Sequence, residues 1–152
     1  MNKKKKIIVT GGQGRFAKVL KKKNKKYKIF FPDKNRLNIL KIHSIRKYIK
    51  KIKPDYLIHC AALSRPMKLH EENITKSIDT NIIGTSNVVK VCSEFNLKII
   101  YFSTAYVYDG KKGYHKETDP VLPFNNYAWS KLGGECAVQM YKNSLILRIM
   151  MC

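Results

Sequence analysis

A chain of 152 residues, 44% of them hydrophobic, has the length of a single domain and enough apolar side chains to build a core. Its longest apolar runs, around residues 98–102 and 145–147, are far too short to span a bilayer, which points to a soluble cytoplasmic protein with no membrane partner. The net charge of +21 is spread over residues 3–6, 21–26, 47–53 and 111–112 without interleaved stacking aromatics; this argues against a nucleic-acid partner and leaves a field that favours anionic small molecules.

In chain order, strands alternate with helices. Ile7, Ile8, Val9 and Thr10 form a β-branched run that stops at Gly11, Gly12 and Gly14, after which Phe16, Ala17, Val19 and Leu20 recur at helical spacing. A tight turn there needs positive φ, a phosphate needs close backbone approach, and the new helix aims free N–H groups and its dipole at an anion. The spacing Gly11-x-x-Gly14-x-x-Ala17 departs from Gly-x-Gly-x-x-Gly, yet small residues still hold the turn and the helix–strand contact. Residues 27–31 read as a second strand, ended by Pro32 and Asp33 where the adenosine ribose of a dinucleotide would lie. Asp33 favours a free 2′-hydroxyl while Lys34 and Arg36 favour a 2′-phosphate, so NAD(H) and NADP(H) both stay open. Leu37, Asn38 and Ile39 look like a short strand end, and Ser44 is a candidate cap for a helix carrying Ile45, Tyr48, Ile49 and Ile52.

Residues 56–60 form a continuous apolar strand, as a strand buried on both faces should, running into Ala61 and Ala62, which let a flat ligand lie against the backbone. His59 within it reads as a satisfied core histidine. A loop over residues 67–73 precedes a long helix with Ile78, Ile82, Val88, Val89 and Val91 on its apolar side, where Asn81 is either solvated or a buried hydrogen-bonding post. Cys60, Cys92, Cys136 and Cys152 are scattered without a Cys-x-x-Cys pair and read as idle thiols, with no metal site expected. Residues 98–102 form the next buried strand. It ends at Ser103 and Thr104, the carboxyl end at which open parallel sheets bind ligands. A polar loop leads to a helix bearing Tyr127 and closed by Asn143, and residues 145–149 make a sixth strand. The whole is an α/β, Rossmann-like, doubly wound parallel sheet in one domain over residues 1–152.

Tyr127 and Lys131, four residues apart on a helix, share a face about one turn apart. A phenol of pKa about 10 exchanges protons poorly at neutral pH; a fixed cation beside it favours the phenolate and suits proton transfer with a carbonyl or alcohol.

Taken together, Thr10-Gly-Gly-Gln-Gly-Arg-Phe-Ala17, His59-Cys-Ala-Ala62, Asn81-x-x-Gly-Thr85, Ser103-Thr-Ala-Tyr-Val-Tyr-Asp-Gly110, Glu117-x-Asp-Pro120 and Tyr127-x-x-Ser-Lys131 resemble the extended short-chain dehydrogenase/reductases, in particular the sugar-nucleotide reductase branch typified by dTDP-4-dehydrorhamnose reductase. That resemblance implies NAD(P)-dependent reduction of a nucleotide-linked 4-keto sugar in nucleotide-sugar or surface-polysaccharide biosynthesis. It places Gly11, Gly14 and the amides of Arg15 and Phe16 on the pyrophosphate, Asn38 and Ile39 beside the adenine, and Ala61, Ala62 and Leu63 along the nicotinamide. Thr104, Tyr127 and Lys131 become the catalytic trio, with Lys131 lowering the phenol's pKa and holding the cofactor's ribose, and a homodimer would form through the Asn81 and Tyr127 helices. Three features depart from the pattern. Ala105 stands where the branch carries Asp, as in epimerases and dehydratases; Asn38 replaces the Asp of Leu-Asp-Ile; and relatives continue past the sixth strand into a region that binds the sugar nucleotide, so the chain reads as truncated there. The alternatives are an epimerase or dehydratase using the same trio, and a non-catalytic dinucleotide-binding regulatory or truncated module.

Overall fold

The computed structural model describes residues 4–111 and 113–150; Lys3 and Lys112 of the basic runs and the Cys152 thiol lie outside them. Five parallel strands form one sheet: β1 (Lys6–Thr10), β2 (Lys28–Phe30), β3 (Tyr56–His59), β4 (Lys98–Thr104) and β5 (Ser144–Ile149), in the order β2-β1-β3-β4-β5. Parallel neighbours require crossovers, and these are α1 (Arg15–Lys23), α2 (Ile42–Ile52), a helical stretch from α3 (Lys68–Glu72) and α4 (Ile74–Ser77) to α5 (Gly84–Glu94), and α6 (Asn126–Gln139).

Register sorts the apolar residues onto two faces. Ile8 stands beside Leu57 and Leu57 beside Ile99, forming a row that packs with Ile45 and Ile49 of α2 and Val88 and Val91 of α5. Ile7 and Val9 point the other way, onto Ala17 of α1. Helices on both faces, with β1 buried along almost its whole length and β3 and β4 alternating buried and half-buried residues, make the doubly wound sheet expected from the sequence. The order reverses between β1 and β3, and that switch point opens a crevice beyond their carboxyl ends.

Several local expectations change. Leu37, Asn38 and Ile39 form a turn, not a strand, so Ser144–Ile149 is the fifth strand. Leu37 and Ile39 are buried like alternate strand residues, but the Asn38 side chain accepts from the Leu40 amide at 3.0 Å, closing the chain on itself. The Ser44 hydroxyl accepts from the Asn38 amide instead of capping α2, whose N-cap is Lys41. The 67–73 loop contains α3, and Asn73 caps α4 by accepting from the Lys76 amide at 3.0 Å. α6 stops at Gln139, leaving Asn143 to donate to the Asn96 carbonyl at 3.2 Å. Among the described residues no helix is long and apolar enough to cross a membrane.

His59 is fully buried, with Nδ1 2.7 Å from the Thr10 hydroxyl and Nε2 3.0 Å from that of Thr85. Burial first, and the nearby Lys131 charge second, lower its pKa from 6.5 to about 3. The unfolded chain therefore binds the proton that the native state refuses between those values, and stability is lost as pH falls below 6.5. Urea titration should show about 2 kcal/mol less stability at pH 5 than at pH 7 from this group, a step missing in His59→Gln.

Candidate active site

The crevice is a cleft of about 1060 Å³ lined by the turn after β1, the residues after β2, β3 and β4, and the start of α6. At its base Gly11 takes φ +70°, and a Cβ there would lie 2.9 Å from the Ala61 backbone, so only glycine lets the β1 and β3 ends approach this closely. Gly14 is the N-cap of α1 and brings no side-chain cap, while its carbonyl accepts from Lys18 at 3.1 Å. The amides of Arg15, Phe16 and Ala17 thus face the cleft without intrahelical acceptors, a donor set suited to a phosphate.

On the opposite wall, β4 delivers Thr104 and α6 delivers Tyr127 and Lys131. The Tyr127 ring packs edge-on against His70 at 5.1 Å and Tyr106 at 6.2 Å. Burial raises its phenol pKa above the usual 10, and hydrogen bonding with Thr104 works against that rise. Among the described residues no hydrogen bond joins Lys131 to the Tyr127 phenol. Its Nζ donates to the Phe102 carbonyl at 2.7 Å and sits 4.2 Å from the centre of the Tyr101 ring, and burial lowers its own pKa to about 7. An ammonium at that balance point, on a cleft wall, can take a sugar hydroxyl as a further partner.

The structure brings Gly11, Gly14, Arg15, Phe16, Asp33, Asn38, Ile39, Ala61, Ala62, Thr104, Tyr127 and Lys131 to one cleft, and Leu63 lies outside its lining. The Asp33 carboxylate is occupied by its own turn, accepting from the Arg36 amide at 2.9 Å with the Arg36 guanidinium 3.9 Å away. Asn81 is the buried post rather than a solvated residue. It accepts from the Leu63 amide at 2.8 Å and donates to the Leu63 carbonyl at 2.9 Å and the Ser130 hydroxyl at 2.8 Å. It lies in a π-helical segment, Ile78–Ile83, whose widened turn aims the side chain at the loop after β3. Asn81 therefore ties the Ala61–Ala62 wall to the helix that presents Tyr127. Sequence reasoning gave no site role to Ser130, Tyr106 or His70; Ser130 lay inside the Tyr127-x-x-Ser-Lys131 motif and Tyr106 inside the motif running from Ser103 to Gly110, while His70 carried no spacing signal.

Residues 5–151 match the family described as RmlD substrate binding domain. A dTDP-4-dehydrorhamnose reductase from Aggregatibacter actinomycetemcomitans is 29% identical over 93% of this chain and 50% of its own length. Methionine adenosyltransferase 2 subunit beta of Xenopus laevis is 33% identical over 74% of this chain and 34% of that protein. A solved dTDP-4-dehydrorhamnose reductase from Bacillus anthracis, in complex with NADP, superposes with a TM-score of 0.88 at 31% identity, covering 96% of this chain and 53% of that one. The chain thus spans between a third and about half of the length of these relatives. With the motifs, the sheet order and the cleft in agreement, the chain belongs to the RmlD substrate-binding-domain family.

Proposed function

We propose that the chain binds NAD(H) or NADP(H) in this cleft and carries the hydride-transfer site of a reductase acting on a nucleotide-linked 4-keto sugar. The observation that carries the reading is that Thr104, Tyr127 and Lys131 stand on the wall of the same cleft whose base is the Gly11 turn and the amino end of α1. The likeness to a reductase solved with NADP supports it. Because the chain spans about half of that protein, its substrate and its place in nucleotide-sugar biosynthesis belong to the same proposal.

In this reading the amides of Arg15 and Phe16 hold the pyrophosphate and Ala61 and Ala62 leave room for the nicotinamide. The cofactor, when bound, supplies the hydride. Tyr127 gives its proton to the substrate oxygen, Thr104 orients that oxygen, and Lys131, braced by the Phe102 carbonyl, holds a ribose hydroxyl. The test is the loss of nicotinamide absorbance when the reduced cofactor meets a dTDP-linked 4-keto sugar. Consumption matched by formation of the alcohol is expected of this site joined to a region that grips the sugar nucleotide, and cofactor binding with little turnover of these 152 residues alone.

A second reading, a dinucleotide-binding regulatory subunit, is favoured by the 33% identity to a protein named as an adenosyltransferase subunit. Tight cofactor binding with no consumption of any 4-keto sugar nucleotide by the site so joined would select it over the first. Both readings accommodate a homodimer through the Asn81 and Tyr127 helices, whose inner faces already pack on each other at Gly133 and Ile82. Ile74, Ile78 and Trp129 leave apolar surface outside, at 54%, 40% and 52% exposure. Light scattering should report a dimer that Ile78→Lys with Trp129→Lys converts to monomer, and a monomeric parent would remove the idea.

A further inference from the structure

We propose that the amino end of the sheet is a docking face for an anionic lipid bilayer. The parallel register sets Lys6 beside Lys28, and Lys98 one row further in, beside Tyr56, which pairs with Ile7. The crossover helices run back to this end, α1 finishing at Lys23 and α2 at Ile52, just before Lys53. Lys23, Lys26, Lys28, Lys51, Lys53 and Lys98 are all exposed, and none forms an ion pair among the described residues. The acids at this end, Asp55 and Glu94, are each taken, by Lys5 at 3.2 Å and Arg46 at 2.6 Å. Asp33, Glu71, Glu72, Asp109, Glu117 and Asp119 lie instead beyond the strands' carboxyl ends. The acids are therefore sorted along the strand axis, although basic residues such as Lys34, Lys41, Lys68 and Lys116 stand at the carboxyl end as well.

Apolar side chains stand among these lysines. Tyr27 before β2, Phe95 at the end of α5 and Met140 at the end of α6 are 41%, 38% and 88% exposed, with the Lys26 ammonium 5.5 Å from the centre of the Tyr27 ring. Lysines interspersed with an aromatic ring and a thioether match a headgroup boundary, where charge meets anionic lipid and the apolar groups enter the acyl edge. A nucleic-acid backbone would use the lysines and leave Phe95 and Met140 wet. A bilayer on this face leaves the cleft, at the opposite end of the sheet, open to solution.

The test is sedimentation of the full chain with vesicles of equal parts phosphatidylcholine and phosphatidylglycerol, against vesicles of phosphatidylcholine alone. Binding is expected only to the anionic vesicles. Lys26→Gln, Lys28→Gln, Lys53→Gln and Lys98→Gln together should weaken it about a thousandfold, at about 1 kcal/mol per lysine. Lys41→Gln, Lys68→Gln, Lys76→Gln and Lys116→Gln, with the same net charge, should weaken it less than about tenfold. Tyr27→Ser with Phe95→Ser should weaken vesicle binding without changing affinity for a short DNA duplex. Equal loss in the two lysine sets, no preference for anionic vesicles, or duplex binding that depends on the first set while vesicles are ignored, would each overturn the proposal.

Discussion

Tyr127→Phe is expected to lower turnover of a dTDP-linked 4-keto sugar about a thousandfold, the usual worth of a positioned proton donor. Cofactor affinity should change by less than about twofold, because the substitution removes one hydroxyl and leaves the ring packed between His70 and Tyr106. The proposed mechanism puts the proton on this phenol, whose pKa is raised by burial and whose hydroxyl is engaged by Thr104. Steady-state kinetics and a cofactor titration on the same two proteins separate the roles. A matched loss of binding and turnover would make Tyr127 a packing residue and remove the catalytic reading.

The second large effect concerns what holds α6 against the sheet. Arg148 of β5 forks onto Glu135 of α6, with Nε 3.0 Å and Nη2 2.5 Å from one carboxylate oxygen, and its Nη1 donates to the Tyr108 hydroxyl at 2.7 Å. The Glu135 side chain is only 6% exposed, and its other oxygen has no partner among the described residues. Arg148→Met therefore strands a buried carboxylate and should cost about 3 kcal/mol in urea unfolding. Adding Glu135→Leu should return most of that, since a buried pair contributes little net stability once both charges are gone. A single variant within about 0.5 kcal/mol of the parent would mean the pair is solvated in solution.

What could be read in the sequence was what period and composition carry. Residues 7–10, 56–60 and 98–102 are continuous apolar runs, and a strand buried on both faces has no other sequence form; β1, β3 and β4 follow from them. Leu37, Asn38 and Ile39 show the limit. Inward, outward, inward alternation fits a strand or a buried turn equally, and what decides is whether a neighbouring chain is free to pair or an Asn closes on its own backbone. The cleft's glycines and small residues were legible because close approach excludes most side chains. The partners of Asn81 and Lys131 were not: helix periodicity gives the face a side chain occupies, while Leu63, Ser130 and the Phe102 carbonyl come from elements far away in sequence. Hence the spacing of Tyr127 and Lys131 gave their shared helix, α6, but not the Phe102 carbonyl and Tyr101 ring that engage the Lys131 ammonium.

The central claim, that the cleft between the Gly11 turn and the Tyr127 helix is a nicotinamide dinucleotide site, is tested most directly by titrating the chain with NADH and NADPH and following nicotinamide fluorescence. Saturable binding of at least one of them in the micromolar range is predicted. Gly11→Val should abolish it, because a side chain at φ +70° would strike the Ala61 backbone 2.9 Å away and spread the turn from the amino end of α1. Failure of both cofactors to bind at millimolar concentration to the folded chain would contradict the account.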